Sequence, residues 1–230
     1  MKIGVIILCR FGSSRLPGKI LKELKGKVAL RHTYDRITKR FAPEHITVAT
    51  SDETSDDMIA EYCLEHNINC YRGSLNNVAK RFNDAAIHND YDFAFRVNGD
   101  NIFIDLSIFD RALGILAEKH FDFISNVKDR TYPKGMSVEL VNINFYSEML
   151  PEISKSESYM EHVTLYLYEN NQGKHHYIYN HALPKAQGLD LALDTEEDFH
   201  VISKIITLLG SKYSDYDLED ILYVYEQLER

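Results

Sequence analysis

Up to residue 126 this chain of 230 residues alternates short apolar runs with amphipathic stretches of helical period, a rhythm few architectures can satisfy. Ile3-Gly4-Val5-Ile6-Ile7-Leu8-Cys9, Ile46 to Thr50, Ile68 to Tyr71, Phe93 to Val97 and Phe121 to Asn126 read as strands. Between them, 28–41, 54–66, 76–88 and 107–119 place apolar residues three and four apart, as a helix with one buried face requires. Leu30, Tyr34, Ile37 and Phe41 share one such face, and Phe109, Ala112, Leu113 and Leu116 another. A continuous apolar strand is buried on both sides, and a βαβα succession supplies the helices that cover it. The expected fold is α/β, a mostly parallel sheet with helices on both faces.

The rhythm changes after Lys128. Met136 to Ile143 and Lys174 to His181 read as strands and Tyr159 to Glu169 as a helix. The chain then returns with a strand at Leu189 to Leu193 and helices at Glu196 to Leu209 and Leu218 to Leu228. One domain over 1–230 is expected, with an arm at about 130–185. That segment holds Tyr132, Tyr146, Tyr159, Tyr166, Tyr168, Tyr177 and Tyr179. A subunit interface or a substrate lid shows such enrichment, and so does a half-buried sheet; both readings stand.

No apolar run approaches the ~20 residues of a membrane span, and the apolar run before Arg10 is too short for a signal peptide. Cys9, Cys63 and Cys70 have no zinc-site spacing, which favours reduced, buried thiols. A cytoplasmic protein with no membrane insertion is expected. The net charge of −9 argues against nucleic acid as a partner. Its distribution is uneven: up to Arg31 there are eight Lys/Arg against the single acid Glu23, and from Asp190 onward eleven Asp/Glu against three Lys/Arg. A basic amino-terminal segment suits a small polyanion.

The first strand runs into Arg10-Phe11-Gly12-Ser13-Ser14-Arg15-Leu16-Pro17-Gly18-Lys19. Glycine-freed backbone N–H groups, the hydroxyls of Ser13 and Ser14, and the cations Arg10, Arg15 and Lys19 together suit a polyphosphate. In open α/β sheets such loops lie at the carboxyl ends of strands, where ligands bind. A Walker A loop is excluded by spacing: Pro17 stands five residues after Gly12, and Ile20 follows Lys19 where Ser or Thr is needed.

Asp100, in Arg96-Val97-Asn98-Gly99-Asp100-Asn101, follows the fourth long strand and faces the same crevice if the sheet is parallel. A carboxylate opposite a triphosphate repels it unless a cation lies between, and Mg²⁺ is commonly held by one or two carboxylates plus phosphates. A second carboxylate is Asp194, in Leu193-Asp194-Thr195-Glu196-Glu197-Asp198, where a helix cap and a metal ligand look alike. After the third strand, Arg72-Gly73-Ser74-Leu75-Asn76-Asn77, with Arg81 beyond, could read a base and ribose or could cap a helix with solvated arginines.

These pieces resemble one family. The loop from Arg10 to Lys19, Val48-Ala49-Thr50-Ser51, Arg72-Gly73-Ser74, Gly99-Asp100, Tyr132-Pro133-Lys134-Gly135, Glu161-His162-Val163-Thr164 and Leu193 to Phe199 occur in the order found in cytidylyltransferases that activate acidic sugars. That group is the acylneuraminate and 3-deoxy-manno-octulosonate (KDO) type, and the chain looks closest to its spore coat polysaccharide branch. The resemblance implies a Rossmann-like nucleotide-diphospho-sugar transferase fold with an inserted dimerisation arm, hence a homodimer. It implies CTP as donor, a small-molecule acceptor, Mg²⁺ held by Asp100 and Asp194, and release of pyrophosphate. By position, Arg10, Gly12, Ser13, Ser14, Arg15 and Lys19 would bind the triphosphate, with Lys19, Arg15 and Asp100 catalytic. Arg72, Asn77 and Arg81 would lie near the nucleotide, and Glu161, His162 and Asp190 near the acceptor.

Leu8 stands where many members have glutamine, and Asp190 where an arginine often precedes the aspartate motif. Gly135-Met136-Ser137 replaces a Gly-Leu-Asp. The expectation is a retained CTP half with altered acceptor recognition. Two alternatives remain: a glycosyltransferase of the same fold, against which Asp90-Tyr91-Asp92 precedes a strand instead of ending one, and a nucleotide-binding protein without turnover.

Overall fold

The computed structural model describes residues 1–170 and 172–228. Its strands in chain order are Ile3–Leu8 (β1), the short hairpin Glu23–Leu24 (β2) and Lys27–Val28 (β3), Ile46–Ser51 (β4), Asn69–Gly73 (β5), Phe93–Asn98 (β6), Phe123–Ser125 (β7), Glu139–Asn142 (β8) and His175–Tyr177 (β9). Apart from the hairpin they form one seven-stranded sheet in the order β5-β4-β1-β6-β8-β7-β9. Every neighbour pair is parallel except the two made by β8, so β8 alone runs against the rest. The chain steps outward from β1 to β4 and β5, then returns to place β6 on the other side of β1. That reversal opens a crevice beyond the carboxyl ends of β1 and β6.

Alternation along β1 separates two cores. Val5 and Ile7 face the helices Ala29–Ile37 (α1), Asp57–Glu65 (α2) and Leu106–Glu118 (α4), whereas Ile6 and Leu8 face Val78–His88 (α3). The first core also takes up Glu196–Leu209 (α8) and Leu218–Leu228 (α9) through Ile202, Ile205 and Ile221. The second is completed by Ile143–Ile153 (α5), Glu157–Glu161 (α6) and Leu165–Glu169 (α7).

The segment at about 130–185 supplies β8 and β9 to the main sheet, so its strands belong to that sheet and make no excursion from it. Of its tyrosines, Tyr132 and Tyr146 are buried and Tyr159, Tyr166, Tyr168 and Tyr177 are half-buried against the second core; the Tyr146 hydroxyl donates to the Val163 carbonyl at 2.7 Å. The reading of Tyr159 to Glu169 as one helix is corrected, because Val163 at φ 51° divides it into α6 and α7. A buried β-branched residue in the left-handed region is a genuine outlier, tolerated only where surrounding contacts hold it. Helix α5 has no counterpart in the sequence reading; Asn142 caps it, and Pro151 in its last turns masks the pattern.

Leu189 to Leu193 makes no strand. Lys134 N–H donates to the Leu189 carbonyl at 2.9 Å, Leu191 N–H to the Lys134 carbonyl at 2.8 Å, and Leu193 N–H to the Asp100 carbonyl at 3.3 Å. The segment thus clips two loops together. Gly135, at φ 90°, is required there, since a Cβ would lie 2.5 Å from the Leu191 carbonyl carbon. Among the described residues no helix is long and apolar enough to cross a membrane. Cys9 and Cys63 are buried and Cys70 is exposed; all three are free.

Candidate active site

Two adjoining cavities occupy the crevice. The first, about 380 Å³, is walled by the loop after β1 and by the turn after β6. Arg10, Gly12, Ser13, Ser14, Arg15 and Lys19 all line it, and Arg81, Asp100, Glu161, His162 and Asp194 join them. The second, about 580 Å³, lies toward β8 and α7 and is lined by Arg130, Lys134, Glu139, Ser158 and Tyr168, with Asp100 and Asp194 shared. Leu8 also lines the first cavity, giving an apolar contact at the strand end.

Loop and carboxylates meet at Lys19. Its ammonium lies 2.6 Å from Asp100 Oδ2 and 2.9 Å from Asp194 Oδ1, so one cation is shared by two carboxylates. The other Asp194 oxygen takes Arg15 at 3.1 Å and Lys134 at 2.9 Å. Asp194 is free to do this because Thr195 is the cap of α8: Thr195 Oγ1 accepts from Asp198 N–H at 3.2 Å, and Asp198 Oδ2 accepts from Thr195 N–H at 2.7 Å. The cap reading of Asp194 is thereby set aside. Burial pushes the Asp194 carboxyl up, but hydrogen bonds from Lys134 and Lys19, with their charges, outweigh it and hold the group well below 3.8.

That depression has a sign. A carboxyl with a lower folded than unfolded pKa stabilises the fold above about pH 4, and the contribution is lost as pH falls through the folded value. In acid titrations followed by circular dichroism, Asp194→Asn is expected to unfold with a shallower pH slope below pH 4. An unchanged slope would mean that the three cations do not hold the carboxylate in solution.

The turn carrying Asp100 is pinned from behind. Thr33 Oγ1, on α1, donates to the carbonyls of Gly99 at 2.9 Å and Asn101 at 3.3 Å. Arg36 Nε donates to the Ile104 carbonyl at 3.1 Å, and the Tyr216 hydroxyl to the Ile102 carbonyl at 3.1 Å. The cationic loop has its own anchor in Asp56, whose oxygens accept from Phe11 N–H at 2.7 Å, Ser51 N–H at 2.9 Å and Thr50 Oγ1 at 2.9 Å. Burial raises the Asp56 carboxyl, but bonds from Ser51, Phe11 and Thr50 bring it below its ordinary value. In the sequence Asp56 is only an acid at a helix start.

Two residues expected near the nucleotide stand outside the lining of both cavities. Arg72 does not line the first cavity; it donates from Nε to the Ser51 carbonyl at 3.0 Å and pairs with Asp57 at 2.7 Å, fastening β5 to α2. Asn77 caps α3, accepting from Lys80 N–H at 2.8 Å, and its amide nitrogen donates to Ser154 Oγ at 3.2 Å. Arg81 does reach the cavity wall, only 2% exposed and donating to the Ser74 carbonyl at 2.6 Å. Glu161 pairs with Arg10 at 2.9 Å across the cleft mouth, and His162 faces both cavities. Asp190 stands one step back, bound to Lys134 at 2.8 Å. Sequence reasoning missed Arg96 and Glu139, an ion pair at 2.9 Å, both on the wall of the second cavity.

This arrangement has counterparts. Residues 4–227 match the family model described as Cytidylyltransferase. The spore coat polysaccharide biosynthesis protein SpsF of Bacillus subtilis is 30% identical over 217 residues, covering 90% of this chain and 87% of that protein. A solved cytidylyltransferase from Leptospira borgpetersenii superposes with a TM-score of 0.91 at 27% identity, covering 100% of this chain and 95% of that one. A CMP:2-keto-3-deoxy-manno-octonic acid synthetase solved with CTP shares the fold, with a TM-score of 0.67 at 15% identity over 90% of this chain and 99% of its own. The sheet order and flanking helices are those of the nucleotide-diphospho-sugar transferase fold. With a cationic loop, paired aspartates and a family match spanning nearly every residue, the chain belongs to the cytidylyltransferases and is a nucleotidyltransferase.

Proposed function

We propose that this protein is a Mg²⁺-dependent enzyme that transfers CMP from CTP to an acidic sugar or related small acceptor, releases pyrophosphate, and serves surface polysaccharide synthesis. The observation that carries the reading is the pair of adjoining cavities: one has a cationic phosphate loop, and both open onto Asp100 and Asp194. The nucleotide occupies the first and the acceptor the second. An acceptor oxygen attacks the α-phosphorus, and the bond to the pyrophosphate oxygen breaks. Arg10, Arg15, Lys19 and the hydroxyls of Ser13 and Ser14 hold the triphosphate and neutralise the leaving pyrophosphate.

The donor set fits Mg²⁺. Two carboxylates converge on one ammonium, so a cation already stands where their charges demand one. Among the described residues no three acidic, histidine or cysteine side chains cluster for a metal, which suits an ion completed by phosphate oxygens and water. When bound, Mg²⁺ would supply charge neutralisation between the carboxylates and the phosphates. SpsF suggests the polysaccharide setting and the synthetase solved with CTP suggests the donor. A cytoplasmic homodimer is part of the proposal, tested by light scattering of the purified protein.

The deciding measurement is pyrophosphate release from CTP with Mg²⁺ across a panel of acidic sugars and phosphorylated small molecules. A thermal-shift titration accompanies it: CTP is expected to raise the midpoint more than UTP, and ATP or GTP hardly at all. Equal stabilisation by a purine nucleotide would overturn the choice of CTP. Hydrolysis of a nucleotide sugar without pyrophosphate release would favour the glycosyltransferase alternative, and nucleotide binding without turnover the non-catalytic one.

A further inference from the structure

Transfer must happen where the two cavities meet, and among the described residues Arg96 is the single Lys or Arg lining both of them. Strand alternation turns it toward the cleft with Asn98, while Val97 between them enters the first core. One terminal nitrogen donates to Glu139 Oε2 at 2.9 Å. Glu139 is 1% exposed, and its other oxygen accepts from Thr164 Oγ1 at 2.9 Å and from the Tyr168 hydroxyl at 2.5 Å. A buried carboxylate with three donors is a rigid mount, and it fixes a guanidinium that has five N–H donors. The arginine side chain remains 15% exposed, toward the shared wall.

We infer that Arg96 binds the α-phosphate of the nucleotide, and that Glu139 is the positioning residue that aims it. The inference rests on the cytidylyl-transfer reading. In that reaction the α-phosphate is the group both ligands touch, so it lies at the common wall whatever the acceptor. A planar guanidinium matches two phosphate oxygens, which an ammonium cannot do. The triphosphate loop acts elsewhere, on the part that leaves.

Two variants keep the test interpretable. Arg96→Lys retains a cation opposite Glu139, and the double change Arg96→Met with Glu139→Gln removes both charges and strands neither. By calorimetry, CMP is expected to bind at least tenfold more weakly to both, while pyrophosphate binds within threefold of wild type. For Glu139→Gln alone, kcat is expected to fall at least tenfold with the KM for CTP within threefold. CMP affinity within threefold of wild type in both variants overturns the assignment of Arg96. Equal losses for CMP and pyrophosphate also overturn it, since they would report general damage to the cleft. An unchanged kcat in Glu139→Gln overturns the positioning role. A wild-type protein that binds neither CMP nor CTP overturns the nucleotide reading itself, and this inference with it.

Discussion

Asp100→Asn is expected to lower the rate of pyrophosphate release from CTP at least a thousandfold, about 4 kcal/mol in the barrier, while the thermal midpoint stays within a few degrees. Asparagine keeps the shape of the side chain, and the surrounding backbone carbonyls accept from Thr33 Oγ1 and from Leu193 N–H without involving the carboxylate. What disappears is a negative charge directly opposite the phosphate loop, 2.6 Å from Lys19 in the free protein. Lys19 still has Asp194 at 2.9 Å, so the loop is not cut loose. Steady-state assays with Mg²⁺ alongside differential scanning calorimetry decide the matter. A loss of less than about tenfold, roughly 1.4 kcal/mol, would remove Asp100 from the reacting centre.

The second large effect is at Lys19. Removing one preorganised group that neutralises developing charge commonly costs about 10²–10³ in kcat, and Lys19→Ala is expected to fall in that range for kcat/KM. Arg15→Ala should lose less, because its side chain is 61% exposed against 12% for Lys19, and solvent screens it. A separate readout concerns the metal. Without the ammonium, Asp100 and Asp194 repel each other, so added Mg²⁺ should raise the thermal midpoint of Lys19→Ala more than that of wild type. Similar Mg²⁺ shifts in the two proteins would mean that the carboxylates do not share a cation site. Losses below tenfold for both Lys19→Ala and Arg15→Ala would mean that the loop does not hold the triphosphate.

Much of this was legible without coordinates, and the reasons are local. The run Ile3 to Cys9 reads as a buried strand, and the loop from Arg10 to Lys19 carries donors of one chemical kind within ten positions. Asp100 and Asp194 stand out in the sequence because each follows a strand-like run, and the structure brings both to Lys19, even though the run before Asp194 is a clip between loops. The sequence does not show that Arg72 and Asn77 fasten β5 and α3, because polar residues after a strand look the same whether they line a pocket or hold a helix. Asp56, Arg96 and Glu139 were missed for the complementary reason. The bond by which Asp56 anchors the cationic loop, from Phe11, spans 45 residues, and the pair Arg96–Glu139 spans 43, so no window of sequence contains either interaction. The break at Val163 was hidden because valine is the wrong residue for a left-handed turn by local preference. It is held by burial and by the bond from Tyr146.

The bonds from Thr33, Arg36 and Tyr216 to the turn around Asp100 make the cleft mechanically lopsided. That turn is tied to the interior at both ends through its carbonyls, so it is expected to move only with the elements that hold it. The opposite rim is fastened differently. Glu161 reaches the phosphate loop through its pair with Arg10, in which both side chains are at least 40% exposed. Such a contact is worth at most about 1 kcal/mol and weakens with salt. Raising the salt concentration is therefore expected to part the side chains of Arg10 and Glu161 at the mouth, while the backbone just beyond them stays held by the bonds from Tyr146 to Val163 and from Thr164 to Glu139.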